Sequence, residues 1–564
     1  MISVSGKIWT EQKVNKNLVQ KFEQDYGLGN ILSKLIISRK YDSSEIYGIN
    51  NDQKLINIFK DDKDFQIATQ ILINSINNNE NICILGDYDV DGACATSLLV
   101  RYFNHINQKH FFYIPDRTED GYGASKKLFQ KLILNKPKLI IMVDCGSTSK
   151  KAIDFLNKNN IKSIIIDHHE IYKPFPKSNA IINPKKILIK KENSLLCATA
   201  LTYFFIEILI KKTKSNFKLS NFLIYVLLAT ICDVMPLRKI NKIIAQNTIK
   251  KFNLKNNLFI DYIFKQFDLK KKLTIDDLGF LIGPIINSGG RLNKSNYAVE
   301  LLSSDKLEII TDRLEKLINL NNKRKIIEKN ILDKIDFQKI KKENKNVIIY
   351  YKNNLNEGLI GIIASRLKDY FNKPSIVITK SKNTLKASAR STAFYNIGYL
   401  IKSLIENDII ESGGGHSMAA GFTLKQDNIT LLESYIQKDY SKKMLKINNQ
   451  NKYDMELSLS AIKGDFMTNI NKIAPFGNFN FAPIFLIKNL RIIKYEIIND
   501  KHISIIVKPK IGKSIKAICF NCLNTKIGEY LLSYKKNINI IGNLSENIWN
   551  NKKTIQLHIK DLFL

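Results

Sequence analysis

The sequence predicts a mixed α/β protein. It comprises a doubly wound parallel sheet, a second α/β lobe reached through a long helical connector, and a C-terminal OB-like β-barrel. Three observations carry this. Short, purely apolar runs alternate with helical spacers between about residues 80 and 170. Residues 296 to 342 are long, charged and free of Pro and Gly. From about Tyr453 the texture changes to short β-type runs.

The runs Ile82-Cys83-Ile84-Leu85-Gly86, Leu139-Ile140-Ile141-Met142-Val143 and Ile164-Ile165-Ile166 read as buried parallel strands, which are covered on both faces and need no polar alternation. Asp64 to Asn77 reads as an amphipathic helix entering the first, and Ala93 to Asn104, Lys126 to Leu134 and Lys150 to Asn159 as helices between strands. Each run ends in polar chemistry: Asp87-Tyr88-Asp89-Val90-Asp91-Gly92, Asp144-Cys145-Gly146, and Asp167-His168-His169-Glu170. Ligands of such sheets bind just beyond the carboxyl ends of the strands. Asp87, Asp89, Asp91, Asp144, His168 and His169 are therefore expected at one edge. A further acid, Asp233, closes the apolar segment Ser220 to Ile231. So many carboxylates cannot share a cleft ionised unless cations neutralise them. Oxygen ligands with one or two imidazoles favour Mn²⁺ or Mg²⁺ over thiolate-held zinc, and the surplus of acids suggests two ions with a bridging carboxylate. Two ions ~3.5–4 Å apart activate a water and stabilise a leaving oxygen. The expected chemistry is phosphoester hydrolysis.

Further along, Gly283-Pro284 to Gly290-Arg291 is Gly-rich, and the charged helical run 296 to 342 reads as a solvated spacer. Strands are expected at Val347 to Tyr350 and Ser375 to Thr379, a helix opening at Gly361, a strand-turn at Leu385 to Ser391, and a Gly-rich turn at Gly413-Gly414-Gly415-His416. The β module has expected strands at Ala482 to Ile487, His502 to Val507, Ile515 to Phe520, Ile538 to Ile541 and Thr554 to Ile559. Its Phe476, Phe479, Phe481 and Trp549 are either base-stacking residues or core.

Composition bounds the rest. The 564 residues suggest three or four domains at ~150 residues each. The formal charge of +35 favours a polyanionic partner, nucleic acid being the usual one. An AT-biased genome would also produce this Lys-, Asn- and Ile-rich chain, so charge alone does not separate the two. Phe222 to Cys232, the most apolar stretch, is shorter than the ~20 residues of a membrane span, so no membrane partner is expected. Seven cysteines in mostly apolar runs fit free thiols in a reducing, cytoplasmic setting. Cys519 and Cys522 form a lone CxxC without a second ligand pair.

With these residues in view, the chain resembles the DHH phosphoesterase superfamily, and within it the RecJ family of single-strand-specific 5′→3′ exonucleases. The likeness rests on the three motifs above together with Gly121-Tyr122-Gly123, Asn183-Pro184, Asp233-Val234-Met235-Pro236, Gly283-Pro284, Gly290-Arg291, Gly358 to Arg366 and Gly414-Gly415-His416. It implies domains at 51–295 (DHH, catalytic), 296–342 (helical connector), 343–435 (DHH-associated, nucleic-acid binding) and 445–564 (OB-like), after an N-terminal segment at 1–50. It implies one ion on Asp89 and Asp144 with Asp87 beside it, and a second on Asp91, Asp144, His168 and Asp233. His169 is expected at the scissile phosphate, with Asp89 and Asp144 as its catalytic companions. Arg117, Tyr122, Arg291, Ser388, Arg390 and His416 are expected on DNA phosphates. The chain departs from the family pattern at Leu355-Asn356, Ala387 and Ala389, which concerns grip and processivity rather than ligands.

The function the resemblance implies is metal-dependent hydrolysis of single-stranded DNA to 5′-mononucleotides, in repair and recombination. A monomer is expected, with single-stranded DNA as partner and a helicase and a single-strand-binding protein as expected further partners. Two alternatives stand beside it: a DHH phosphoesterase of dinucleotides, cyclic dinucleotides or pyrophosphate, and a non-catalytic single-strand-binding relative.

Overall fold

Ile82–Leu85, Leu139–Val143 and all but the first residue of Lys162–Ile166 are buried, as strands covered on both faces must be. In this computed structural model they lie in a five-stranded parallel sheet. Its order is His110–Tyr113, Ile82–Leu85, Leu139–Val143, Lys162–Ile166, Ala180–Ile182. The first strand in the chain has the second on one side and the third on the other. Connections therefore diverge there, which puts the switch point, where such sheets bind ligands, beyond the carboxyl ends of Ile82–Leu85 and Leu139–Val143. The structure describes residues 2–117, 119–120, 123–186, 193–381, 384–392, 394–444, 450–462, 464–533, 537–549 and 552–563. By contacts the chain divides into two units, one of residues 56–235 and 252–448, the other of residues 1–55, 236–251 and 449–564.

Within the first of these units, the helix Val90–His105 leaves the acidic loop and is buried almost throughout. The helices Ala198–Thr213 and Leu223–Cys232 pack against it. Asp233 therefore follows a helix, not a strand. The Gly-rich stretch is also helical, Gly283–Arg291 following a short π-helical segment at Leu278–Ile282. Its glycines allow close approach: a Cβ on Gly290 would collide with the carbonyl oxygen of Tyr88.

The connector forms three helices, Asn296–Ser303, Leu307–Leu332 and Phe337–Glu343. It is not the solvated spacer its charge suggests. Ile310, Leu314 and Leu317 are buried, and Ser288 Oγ donates to the Leu317 carbonyl at 2.9 Å. Three polar residues are buried on the same helix. Glu328 takes Arg324 Nη1 at 2.9 Å and Arg366 Nε at 2.6 Å, and Arg324 Nε donates to Asn321 Oδ1 at 3.1 Å. A long charged helix conceals such a face because three polar residues stand at core positions.

The second lobe of this unit is a five-stranded mixed sheet in the order Ser412–Gly415, Ala419–Leu424, Thr384–Arg390, Ser375–Ser381, Ile348–Tyr351. Only the last pair is parallel, joined through the helix Ile360–Phe371. The glycines at 413–415 lie in an edge strand rather than a turn.

In the other unit, Ile484–Ile498, His502–Pro509, Ile515–Cys519, Lys552–Phe563 and Ile538–Trp549 pair in that order. The last pairs back onto Ile484–Leu490. That closes a five-stranded barrel, with the helix Lys526–Ser533 between its third and fourth strands in chain order, the arrangement of an OB-fold. The N-terminal segment belongs with it. Ile8–Glu11 pairs with Gln450–Tyr453, and the buried Asp561 carboxylate takes Trp9 Nε1 at 2.9 Å and Ser3 Oγ at 2.7 Å. No described helix is long and apolar enough to cross a membrane.

Candidate metal centre and phosphate grip

The acidic loop is organised by the helix it opens. Asp89 caps Val90–His105, its Oδ1 accepting the N–H groups of Asp91 at 2.9 Å and Gly92 at 3.1 Å. Gly92 is required there, since a Cβ would stand 2.5 Å from the backbone N and O of Asp87. Asp91, in the first turn, is gripped by the start of the helix Ala198–Thr213. Its carboxylate accepts Ala198 N at 2.7 Å, Thr199 N at 2.8 Å and Thr199 Oγ1 at 2.6 Å. Sequence reading missed Thr199. The signal was a threonine in a first helical turn that carries no acid of its own.

Asp144 closes the third strand in chain order with φ 59°, a left-handed conformation that Asp tolerates better than most residues. His168 stands at the hub. Its Nε2 lies 3.3 Å from Asp144 Oδ1, 3.4 Å from Asp233 Oδ2 and 3.6 Å from Asp91 Oδ2. Three side-chain sets could each hold a cation: Asp87, Asp89 and Asp144; Asp91, His168 and Asp233; and Asp144, His168 and His169. Among the described residues, Asp87 Oδ1, Asp144 Oδ1 and His168 Nδ1 are buried without a hydrogen-bond partner. Burial, and then the Asp89 charge, pushes the Asp87 carboxyl up to about 8. Burial and the neighbouring acids raise Asp89, Asp144 and Asp233 as well. Burial brings His168 down to about 4. Carboxyls that resist ionising together, beside a neutral imidazole, are the donor set that divalent cations fit.

Asp167 has another task. Its Oδ1 accepts His168 N at 2.8 Å and His169 N at 3.1 Å and lies 2.8 Å from His169 Nδ1, while Oδ2 accepts Ser147 N at 3.0 Å. Burial alone would lower His169, but Asp167 outweighs it and holds the imidazole at about 9. Asn183 fixes the same residue, donating to the His169 carbonyl at 2.9 Å. The His169 ring stacks on His416, with centroids 5.9 Å apart and planes 15° apart. Burial, Lys185 and His169 lower His416 to about 4, so a charged imidazole lies against a neutral one at pH 7.

Three arginines gather nearby. Arg117 lies over the Tyr88 ring at 4.1 Å, with its Nε buried and without a partner among the described residues. Arg291 Nη1 donates to the Gly358 carbonyl at 3.0 Å, and Arg390 Nη1 to Ser388 Oγ at 3.2 Å. Burial, then Arg117, Arg324 and Arg390, pulls Arg291 down to about 10, and burial and Arg117 lower Arg390. Guanidiniums that repel one another in a buried place form a site for an anion. Tyr122 lies outside the described residues.

The chain matches the model of the DHH family N-terminal domain at residues 81–231, the DHHA1 domain at 344–442 and the RecJ OB domain at 453–561. It is a RecJ-type member of the DHH family. The single-stranded-DNA-specific exonuclease RecJ of Bacillus subtilis (strain 168) is 28% identical over 575 residues, covering 98% of this chain and 70% of the relative. That of Escherichia coli is 26% identical, covering 86% and 89%. The RecJ crystal structure from Thermus thermophilus in complex with Mn²⁺ superposes with a TM-score of 0.81. It is 19% identical and covers 99% of this chain and 79% of that one. A structure of the same protein was obtained with Mg²⁺. The likeness includes the closed barrel as well as the DHH sheet.

Proposed function

We propose that this DHH-family chain is a metal-dependent exonuclease that hydrolyses single-stranded DNA from its 5′ end to 5′-mononucleotides. The observation that carries the reading is the company the acidic cluster keeps: ligand sets for cations, with a buried guanidinium cluster in the same unit. The named relatives supply the polymer.

Asp87, Asp89 and Asp144 would hold one Mn²⁺ or Mg²⁺, and Asp91, Asp144, His168 and Asp233 would hold a second. Such cations would supply an activated water and charge neutralisation at the leaving oxygen. The protein's own side chains do the rest. Thr199 and the Ala198 N–H hold Asp91 in place. Asp167 keeps His169 cationic, so that it stabilises negative charge building on the scissile phosphate. Arg117, Arg291, Ser388 and Arg390 grip DNA phosphates, the 5′-terminal one among them, and Tyr122 and His416 add to the binding of the DNA. A grip on the end of the strand would set which phosphodiester meets the ligands, as an exonuclease requires.

The working domains are 51–295, 296–342, 343–435 and 445–564 after the segment 1–50. The setting is cytoplasmic repair and recombination, with the chain a monomer that a helicase and a single-strand-binding protein supply with substrate. Identifying the nucleotides released from a 5′-phosphorylated oligonucleotide with Mn²⁺ tests the reaction. 5′-Mononucleotides released in order support it. Faster turnover of dinucleotides than of long strands would move the chain to the small-substrate phosphoesterases.

A further inference from the structure

In the unit that contains the barrel, one loop is pinned at its centre and leaves two aromatic rings outside. Asn480 is 0% exposed. Its Oδ1 accepts Tyr41 Oη at 2.6 Å and Arg39 Nη1 at 3.2 Å, and its Nδ2 donates to the carbonyls of Ile473 at 2.8 Å and Pro475 at 2.9 Å. Its backbone pairs with Gly477 in both directions, and Leu237 N donates to the Asn478 carbonyl at 2.8 Å. The loop therefore has a fixed shape. On either side of this anchor, Phe479 and Phe481 are 62% and 63% exposed, whereas Phe476 packs against the barrel core.

Phe479 also has φ +57°, in the left-handed region that a bulky side chain disfavours. Two unfavourable features thus coincide on one rigid loop: strained backbone, and apolar rings in water. Such features persist at places that bind something.

Charge says what. Lys and Arg outnumber Asp and Glu by about two to one in this unit. Beside the loop, Arg39 reaches Asn480 from the partly exposed surface, and Lys472 at the loop's start is exposed, whereas Arg238 over the Tyr41 ring is already paired with Glu45. A second copy of the chain would bring the same excess of positive charge and be repelled. A polyanion with exposed aromatic faces complements both properties.

We propose that Phe479 and Phe481 form a stacking platform for the unpaired bases of single-stranded DNA, with Arg39 and Lys472 drawing in its backbone. The proposal rests on the exonuclease reading and adds a contact surface separate from the ligand cluster.

The test uses the full chain with Phe479→Gly, with Phe481→Ala and with both. Binding of a labelled oligothymidine is followed by anisotropy in chelator, together with thermal midpoints and turnover of a 5′-phosphorylated dinucleotide. Each substitution is expected to weaken binding about tenfold, while dinucleotide turnover stays at the parent's level. Phe479→Gly is also expected to melt no lower than the parent, because glycine relieves the φ +57° backbone. A ring kept only for packing would instead lower the midpoint. Photocrosslinks from thymine to Phe479 or Phe481, mapped by mass spectrometry, would support the platform directly. A parent that binds and cleaves single strands while the double variant binds equally well overturns this proposal alone. A parent that neither binds nor cleaves them overturns the exonuclease reading with it. Loss in the variants of self-association or of binding to anionic vesicles, with oligothymidine affinity unchanged, also overturns it.

Discussion

Asp167 Oδ1 lies 2.8 Å from His169 Nδ1, and this contact sets the charge of the imidazole beside the acidic cluster. With Asp167 present, His169 stays protonated up to about pH 9, against burial that would lower it. Asp167→Asn removes the anion and lets the imidazole lose its proton near or below its ordinary value of about 6.5. The rate at pH 8 with saturating Mn²⁺ should fall by roughly 10- to 100-fold, and the alkaline limb of the pH profile should move down by about two units. An unmoved alkaline limb would remove His169 from the reaction.

The carboxyls of the cluster link pH to stability. Their folded pKa values lie above the ordinary carboxyl range, with Asp87 at about 8 and burial the main cause. A raised carboxyl contributes stability that is complete below its unfolded value and is lost as pH rises through the folded value. The cation-free protein should therefore lose stability between about pH 4 and pH 8. Mn²⁺ should restore more of it at pH 8 than at pH 5.5, as read from thermal midpoints with and without chelator. An equal effect of Mn²⁺ at both pH values would argue against binding at this cluster.

Lys242 is buried in the unit that contains the barrel, beneath the Tyr41 ring, and burial lowers its pKa to about 8. A lysine with a depressed pKa favours the unfolded state at neutral pH, and the penalty fades as pH rises from about 8 towards 10.5. Lys242→Met should raise stability at pH 7 by about 2 kcal/mol, with the gain shrinking above pH 9. Denaturant unfolding at the two pH values checks the sign. A loss at pH 7 would show that the Tyr41 contact outweighs the burial of charge.

Glu328 is the one acid between Arg324 and Arg366 in the described network. Glu328→Ala leaves Arg324 partly buried and uncompensated, and should cost about 3 kcal/mol in urea unfolding. A change below about 0.5 kcal/mol would mean that solvent reaches Arg324 after all.

Much of the catalytic sheet was legible because its strands are buried on both faces and read as unbroken apolar runs. Each also ends where the chemistry begins, so the positions of Asp87, Asp144 and His168 followed from Ile82–Leu85, Leu139–Val143 and Lys162–Ile166. Partners far away in the chain were not legible. Thr199 reaches Asp91 across 108 positions, and Trp9 reaches Asp561 across 552. The Gly-rich composition of Gly283–Arg291 did not reveal a helix, in which Gly290 permits packing against the Tyr88 backbone. The packed face of Leu307–Leu332 was hidden because Asn321, Arg324 and Glu328 occupy core positions with polar side chains.

Digestion of a single-stranded DNA with a 5′ phosphate and a 3′ label, comparing parent and Asp144→Ala with and without Mn²⁺, tests the central claim most directly. Asp144 belongs to two of the three cation-holding sets, so its loss should empty the centre while the guanidinium cluster still binds the strand. The account predicts a ladder shortening from the 5′ end with parent and Mn²⁺, and none with chelator or with Asp144→Ala. An intact strand with the parent, or a ladder that persists in Asp144→Ala, would contradict it.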